Sequence, residues 1–454
     1  MSAAGPVRST GGGAAVGAAG GVPAAARPPV ASGMPGPGGL ASAQAPPFRL
    51  PGEHFAAALG FWLLGSLGLV AVAPHLALGL FPLSRVVATT HLFTLGWITT
   101  SILGALYQFL PVALGTPIRS ERLAHITFWL YVPGLALFVG GLAAGAHTPL
   151  LAGAALFTTG LLLFLGNLAM TLARARTRDV TWWALAGAGV FLFVTIALGL
   201  TLAGNLRWGY LGAHRFLALG VHLHVAIAGW VLLVVVGVAH RLLPMFLLSH
   251  GASGRPAVAA VALLAGGVGL LAAWHLTARW GILVPALLIG AGAAAFLLQA
   301  ALFFRHRIKP KLDPGLRLAG VALAFLALAL AMAPFALARG LAAPRLGVAY
   351  VTALVLGGLT LFVAGIYYKV VPFLVWYHRF GPLAGKRPVP RVAELFGARP
   401  AHAAGALLAA GALGLIIATL AGAPGAARLA AVAFAGGAAT EVLQMFHIAR
   451  RRPG

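Results

Sequence analysis

Residues 91–111 read HLFTLGWITTSILGALYQFLP, and a similar sequence, HVAIAGWVLLVVVGVAHRLLP, follows at residues 224–244. At one constant offset along the chain, these pairs are identical: His91 with His224, Gly96 with Gly229, Trp97 with Trp230, Gly104 with Gly237, and Pro111 with Pro244. A third copy follows, in which Gly357, Gly365 and Pro372 align with Gly229, Gly237 and Pro244, again at one offset. A match of this length without gaps indicates an internal repeat.

Each copy lies in a long apolar stretch, and such stretches recur from about residue 55 to residue 449. Of the 454 residues, 61% are hydrophobic and only 8% are charged, too few to cover the surface of a water-soluble protein. Lipid offers no partner for backbone amides, so stretches of about 20 apolar residues cross it as helices. The chain is predicted to be an all-α integral membrane protein with twelve spans, at residues 55–80, 86–113, 123–145, 149–174, 181–203, 216–245, 256–277, 281–306, 316–340, 346–374, 400–422 and 425–449.

The basic residues agree with this number of spans. The N-terminal tail, the even-numbered connections and the C-terminus hold 23 of the 31 Lys and Arg, and the odd-numbered connections hold 7. Positive charge gathers in the cytoplasmic connections of membrane proteins. We therefore predict a multi-pass protein of a bacterial-type inner membrane, with both termini in the cytoplasm. The same distribution accounts for the net charge of +25 without a nucleic-acid partner.

Residues 1–50 are rich in Ala, Gly, Pro and Ser, and we expect a disordered cytoplasmic tail without a signal peptide. Residues 51–454 make up the membrane domain. The chain contains no Cys, which excludes thiolate metal sites and covalent haem attachment. A bound metal would have to use His, Tyr, Met or carboxylate ligands.

The repeated stretches are the second, sixth and tenth spans, so the chain divides into units of four helices at about residues 51–175, 176–307 and 308–450. Units with an even number of spans share one orientation. We therefore expect three pseudo-repeated four-helix arcs around a pseudo-threefold axis normal to the membrane. The three equivalent spans would face inward and enclose pores between them.

A single chain of twelve spans with histidines on the innermost helices resembles subunit I of the haem–copper oxidases. It also resembles the related nitric oxide reductases and NnrS-like membrane proteins. Residues 91–111, 222–244 and 357–372 carry the resemblance. It implies a haem–copper oxidase subunit I-like fold, with an axial haem ligand on the second span at His91.

In that family a His-x-His on the tenth span serves two haems, whereas here His222-Leu223-His224 lies on the sixth span. Residues two apart point about 200° apart around a helix, so these two imidazoles would face different pores. The sixth span lacks the His-Pro-Glu-Val-Tyr copper site of the family, and the seventh has His275 where the family has paired histidines. The resemblance therefore implies the scaffold without the oxygen-reducing centre, and the catalytic residues stay unknown.

His91 and His224 are the leading cofactor ligands, because haem iron takes an imidazole from each of two facing helices. The alternative is that both are neutral histidines hydrogen-bonded to Ser or Thr across the bundle. His222 is a candidate ligand for a second haem or, together with His275, for copper. The alternative for His222 and His275 is a structural position at the membrane interface.

A second group of residues is a candidate proton path toward the cytoplasmic face. Tyr107, His240 and Tyr368 occupy one equivalent position in the repeat, and Glu441 is the only acid within a predicted span. With Gln444 and His447 at helical spacings, Glu441 could relay protons or bind a cation, the alternative being a protonated or Arg-paired carboxyl. The basic residues near this group, Arg241 and Lys369, are expected to reach lipid headgroups.

The expected function is that of a haem-binding membrane redox protein, with b-type haem as the cofactor and copper as a second candidate. Such an oxidoreductase would transfer electrons or handle a diatomic gas such as oxygen or nitric oxide. Its partners would be the lipid bilayer, a quinol or cytochrome c donor, and other respiratory-chain subunits. The alternative is a transporter or chaperone for a metal ion or small solute, although transporters usually carry inverted repeats and broken helices.

Overall fold

The computed structural model describes residues 46–277 and 281–453, so almost all of the predicted tail lies outside the described residues. Within the described part, twelve helices are long and apolar enough to cross a membrane, which confirms the predicted number. We number them as spans one to twelve: Arg49–Ala77, Ser84–Leu114, Glu121–Ala144, His147–Leu172, Val180–Trp208, Gly212–Leu247, Arg255–Ala273, Leu283–Arg305, Pro314–Ala342, Pro344–Leu383, Ala398–Ala421 and Pro424–Arg450.

The largest departures from the predicted boundaries occur in spans one and ten. Span one begins at Arg49 rather than at residue 55, because Glu53 in its first turns accepts a 2.7 Å hydrogen bond from His125 of span three. Span ten continues past residue 374, because a π-helical turn at Trp376–Phe380 and a 3-10 turn at Gly381–Leu383 extend it. Hydropathy alone marks neither feature, since both segments are partly polar.

Local signals explain many of the helix ends. The side chains of Ser120, Asp179 and Asp313 cap the first turns of spans three, five and nine by accepting backbone N–H groups at 3.1 Å. Gly145 and Gly422 end spans three and eleven with φ of 65°, a left-handed conformation that glycine adopts without steric cost.

Spans two, six and ten lie in the interior of the bundle. Their apolar windows are 78%, 72% and 72% buried, whereas those of the other nine described spans are 22% to 50% buried. The three spans also contact one another: Trp230 Nε1 donates to Thr99 Oγ1 at 3.3 Å, and Ser101 Oγ lies 2.7 Å from Tyr367 Oη. The expectation that these three spans face inward is confirmed.

The backbone of each inner span departs from the α-helix at the same place. A π-helical segment of eight residues occupies Leu92–Thr99 in span two, Val225–Leu232 in span six and Ala353–Thr360 in span ten. The three segments begin at equivalent positions of the sequence repeat. The inner spans stay continuous helices, but these π segments shift the helical phase of the residues that follow.

Glycines let the inner spans approach their neighbours. A Cβ added at Gly96 or Gly229 would lie 2.6 Å from Phe61 Cβ of span one or 2.7 Å from Phe191 Cβ of span five. Gly357 packs in the same way against Phe325 of span nine. The close approach needs a residue without a side chain, as is common where membrane helices pack.

Outside the inner spans, three helix pairs and one long-range contact complete the bundle. Spans three and four, seven and eight, and eleven and twelve each pack closely along their length. Glycines of both partners lie in each of these contacts: Gly134 and Gly153, Gly267 and Gly292, Gly411 and Gly437. Span twelve also packs against span one, so the last helix of the chain meets the first.

Candidate cofactor site

His91 is the last residue before the π segment of span two. Its Nδ1 lies 2.8 Å from the carbonyl oxygen of Val87, one turn earlier, and its ring meets Phe138 of span three edge-on at 5.3 Å. A carbonyl only accepts, so Nδ1 carries the proton and Nε2 keeps its lone pair. His91 is thereby held in the tautomer that can bind a metal through Nε2.

His224 has the same local geometry in span six. Its Nδ1 lies 2.8 Å from the carbonyl oxygen of Gly220, and it also immediately precedes a π segment. Its Nε2 lies 3.4 Å from the phenol oxygen of Tyr350 on span ten, with the two rings nearly parallel at 19°. A Cβ added at Gly220 would meet no described atom within 4 Å, so space remains beside this turn.

His222 lies on a different side of span six. Its ring packs over Gly199 of span five, where an added Cβ would come within 3.2 Å of ring atom Cε1, and it interacts with the backbone of Thr195. Its Nδ1 is buried and has no hydrogen-bond partner in the described part of the chain. The titratable group that the structure brings near His222 is His91.

His224 therefore contacts Tyr350, whereas His222 interacts with His91 electrostatically. The predicted pairing of His91 with His224 rests on their equivalence in the repeat and stays a prediction. Equivalent residues on neighbouring spans need not face each other. The rotation of span six about its axis decides which imidazole faces span two, and the packing of Gly229 against Phe191 fixes that rotation.

Tyr350 was missed by the sequence analysis, although the repeat contains a signal for it. When spans six and ten are aligned on their shared glycines and proline, Tyr350 takes the position of His222. The same position in span two is Thr89, whose hydroxyl donates to the carbonyl oxygen of Arg85 at 2.9 Å and packs near Gly68 of span one. The repeat position that holds His222 thus holds three different side chains.

The part of each inner span that carries these residues is the more open part. His91, His222, His224 and Tyr350 are half-buried although other helices surround them, so accessible space reaches their rings. Most residues from the π segments onward are buried, including Trp97 and Trp230. The histidines are therefore more accessible than the residues deeper along the inner spans.

No known family model matches the chain, and no curated protein matches it. The chemistry of the site thus follows from its own side chains. Within the described residues, no group of three or more His, Asp or Glu side chains is arranged to hold a metal ion. The predicted copper ligand His275 has a side chain outside the described residues. Haem iron needs only one or two axial ligands, because the macrocycle supplies the others, and two neighbouring imidazoles fit that requirement.

The residues of the predicted proton path have separate surroundings. Tyr107 is buried beside His54, with their ring centroids 5.4 Å apart, and His240 lies beside Phe303 at 6.1 Å. Tyr368 accepts a 2.9 Å hydrogen bond from Gln444 Nε2 and interacts with Glu441. The structure therefore brings together Tyr368 and Glu441 of this group.

Arg241 and Lys369, which are expected to reach lipid headgroups, each form an ion pair within the protein. Arg241 pairs with Asp179, and Lys369 Nζ lies 2.7 Å from Asp313 Oδ2, where Asp179 and Asp313 are the caps of spans five and nine. Partial burial of Asp313 opposes ionisation, but Lys369, the N–H of Leu316 and Lys309 outweigh it, so the pKa of Asp313 lies below its ordinary value. The two partners of each pair lie on different spans, so sequence spacing gives no signal for them.

Proposed function

We propose that this chain is a haem-binding redox protein of the membrane, with its twelve spans arranged as three four-helix arcs like those of haem–copper oxidase subunit I. Three observations support the arrangement. The π segments recur in the register of the repeat, each inner span packs through glycine on a phenylalanine of the preceding span, and span twelve meets span one. A bundle with these contacts can close around three inner helices.

The first proposed site lies between spans two and six, with His91 and His222 as the axial haem ligands. The observation that carries it is the buried Nδ1 of His222, which has no hydrogen-bond partner among the described residues, together with His91, whose Nδ1 is held by Val87 so that Nε2 keeps its lone pair. His222 also interacts electrostatically with His91. Gly199 leaves the space that the ring of His222 needs. A haem bound there would supply one-electron transfer.

The second proposed site lies between spans six and ten, where His224 faces a phenol instead of a second imidazole. His224 would hold a second haem or metal through Nε2, and the phenol of Tyr350, whose oxygen lies 3.4 Å from that nitrogen, would supply a hydrogen-bond donor at the same site. Such an arrangement suits the binding or reduction of a diatomic gas. The two sites share span six, which brings electron donor and acceptor within one helix turn of each other.

We also propose the orientation and the partners. The face where the even-numbered spans end carries most of the Lys and Arg, so it is the cytoplasmic face of a bacterial-type membrane. An electron donor, quinol or a cytochrome c, would serve the histidine side. The charge distribution supports the orientation, and the identity of the donor rests on the resemblance alone.

The test is a reduced-minus-oxidised visible spectrum of the purified protein, with a pyridine haemochrome assay and copper analysis. We expect a sharp α-band that disappears in both His91→Ala and His222→Ala and persists in His224→Ala. A carbon-monoxide-sensitive band, if the second site also holds haem, should disappear in His224→Ala. Thr352→Ala, which changes the equivalent position of span ten, is the matched control and should leave both signals in place.

A colourless protein from cells with ample haem would contradict the proposal. Loss of the α-band in His224→Ala, with retention in His222→Ala, would instead restore the pairing of His91 with His224. A protein without haem that binds a metal ion stoichiometrically would favour the transporter or chaperone alternative.

A further inference from the structure

Glu441 of span twelve is the one fully buried acid of this chain. The sequence contains six acids, all within the described residues, and the side chains of Glu53, Asp179, Asp313 and Glu394 each pair with a cation or histidine. Glu121 is exposed at the start of span three. Glu441 is 0% exposed, and neither carboxyl oxygen has a hydrogen-bond partner in the part of the chain that the structure describes.

The groups that the structure brings near Glu441 are neutral. The phenols of Tyr367 and Tyr368 on span ten both interact with it. Tyr367 is in turn bonded to Ser101 of span two at 2.7 Å and lies against Trp97. An ionised carboxylate in apolar surroundings needs a cation or several donors, so Glu441 is expected to hold its proton at rest.

A polar side chain, Gln444, lies between the surroundings of Glu441 and the face where span twelve ends. Gln444 follows one turn later and donates to Tyr368 Oη at 2.9 Å. Gln444 also lines an open pocket of about 400 Å³, together with Thr440 and His447. Phe396 borders the same pocket and packs on the ring of Tyr368 at 5.3 Å. The amide of Gln444 therefore lines the pocket and also contacts the phenol of Tyr368.

We propose that Glu441 is a proton-binding site that exchanges its proton with the pocket through Tyr368 and Gln444. On release, the carboxyl O–H bond breaks, water in the pocket takes the proton, and the carboxylate stays beside the phenols until it is protonated again. The site does not depend on the proposed haem, since every group in it belongs to spans ten and twelve. Its ligand is a proton, because two phenols and one amide offer too few oxygens to replace the hydration shell of a metal cation.

The test is infrared spectroscopy of the full chain in lipid as the medium is exchanged from water to deuterium oxide at neutral pH. The five other acids are exposed or paired, so a protonated carboxyl band should come from Glu441 and vanish in Glu441→Gln. In the wild type this band should shift as deuterium replaces the proton. In Gln444→Leu the shift should be at least roughly tenfold slower.

Thr440→Val is the matched control, because Thr440 lines the pocket but donates its hydroxyl to the carbonyl of Gly436. It should leave the exchange rate unchanged. A wild-type spectrum without a protonated carboxyl band at neutral pH overturns the proposal without any variant. An unchanged rate in Gln444→Leu overturns the route, and sodium-dependent loss of the band at constant pH would identify a cation site instead. None of these outcomes depends on whether haem is bound.

Discussion

The three inner spans share a backbone and carry different side chains at two positions just before the π segment. Each has a π segment in the same register and a glycine packed against a phenylalanine. Just before that segment, span six carries His222 and His224, span two carries Thr89 and His91, and span ten carries Tyr350 and Thr352. The repeat therefore keeps the backbone and the helix packing constant. The side chains at these two positions of each span determine what can bind between the inner helices.

The largest expected effect comes from making span ten more like span six. Tyr350→His would place an imidazole opposite His224, and we expect a carbon-monoxide-sensitive band to be replaced by a second six-coordinate spectrum, because iron would then have two protein ligands. The measurement is the carbon monoxide difference spectrum with haem quantification. Tyr377→His, near the other end of span ten, is the control and should change neither. Retention of carbon monoxide binding in Tyr350→His would contradict the facing arrangement.

A second substitution tests the shared scaffold. Gly229→Ala would place Cβ 2.7 Å from Phe191 Cβ and 2.9 Å from Val268 Cγ1, so the helices must separate. We expect a cost of about 1–3 kcal/mol in the free energy of unfolding, typical of overpacking. Thermal unfolding in detergent measures it, and Gly96→Ala should behave alike if the contact is equivalent in both units.

The control for these glycines is Gly220→Ala on the same span. An added Cβ there would meet no described atom within 4 Å. Removing a helical glycine should leave stability unchanged or raise it by about 0.5–1 kcal/mol. Equal destabilisation by Gly220→Ala and Gly229→Ala would show that the close contact with Phe191 is not what limits the fold.

Much of the fold could be predicted from the sequence, because membrane spans depend on local properties. Each of the twelve apolar runs forms a helix, and the repeat correctly picked out the three buried ones. Helix ends, the π segments and the partner of each histidine depend on packing between distant spans. The ion pair of Arg241 with Asp179 is an example. Both residues are evident in the sequence, but their spacing along the chain does not predict that they pair.

The histidines of the proposed site stand out in the sequence, whereas their neighbours in the fold do not. His91, His222 and His224 were identified from their rarity in apolar stretches and from the repeat. Which rings face each other depends on the rotation of each helix about its axis. Because successive residues differ by about 100° around a helix, a shift of one residue changes which side chain faces the neighbouring helix. Tyr350 could have been found by reading the repeat at the position of His222 as well as at that of His224.

The smallest expected effect concerns the capping acids, which distinguish the second and third units from the first. Asp313→Asn keeps a side chain that caps span nine but removes the charge paired with Lys369, whereas Asp313→Ala removes both. We expect Asp313→Ala to lower the free energy of unfolding at pH 7 by about 1–2 kcal/mol and Asp313→Asn to lower it by less. Thermal unfolding of the three proteins measures the difference.

The pH dependence of the same comparison isolates the charge. The folded pKa of Asp313 lies below its ordinary value of 3.8, so its stabilisation is complete above that value and is lost as the pH falls through the lower folded pKa. The difference in melting temperature between wild type and Asp313→Asn should therefore shrink below about pH 4. Glu121→Gln, at an exposed helix start, is the control. A difference that stayed constant with pH would mean that the ion pair with Lys369 contributes nothing, and that Asp313 acts on span nine only as a cap.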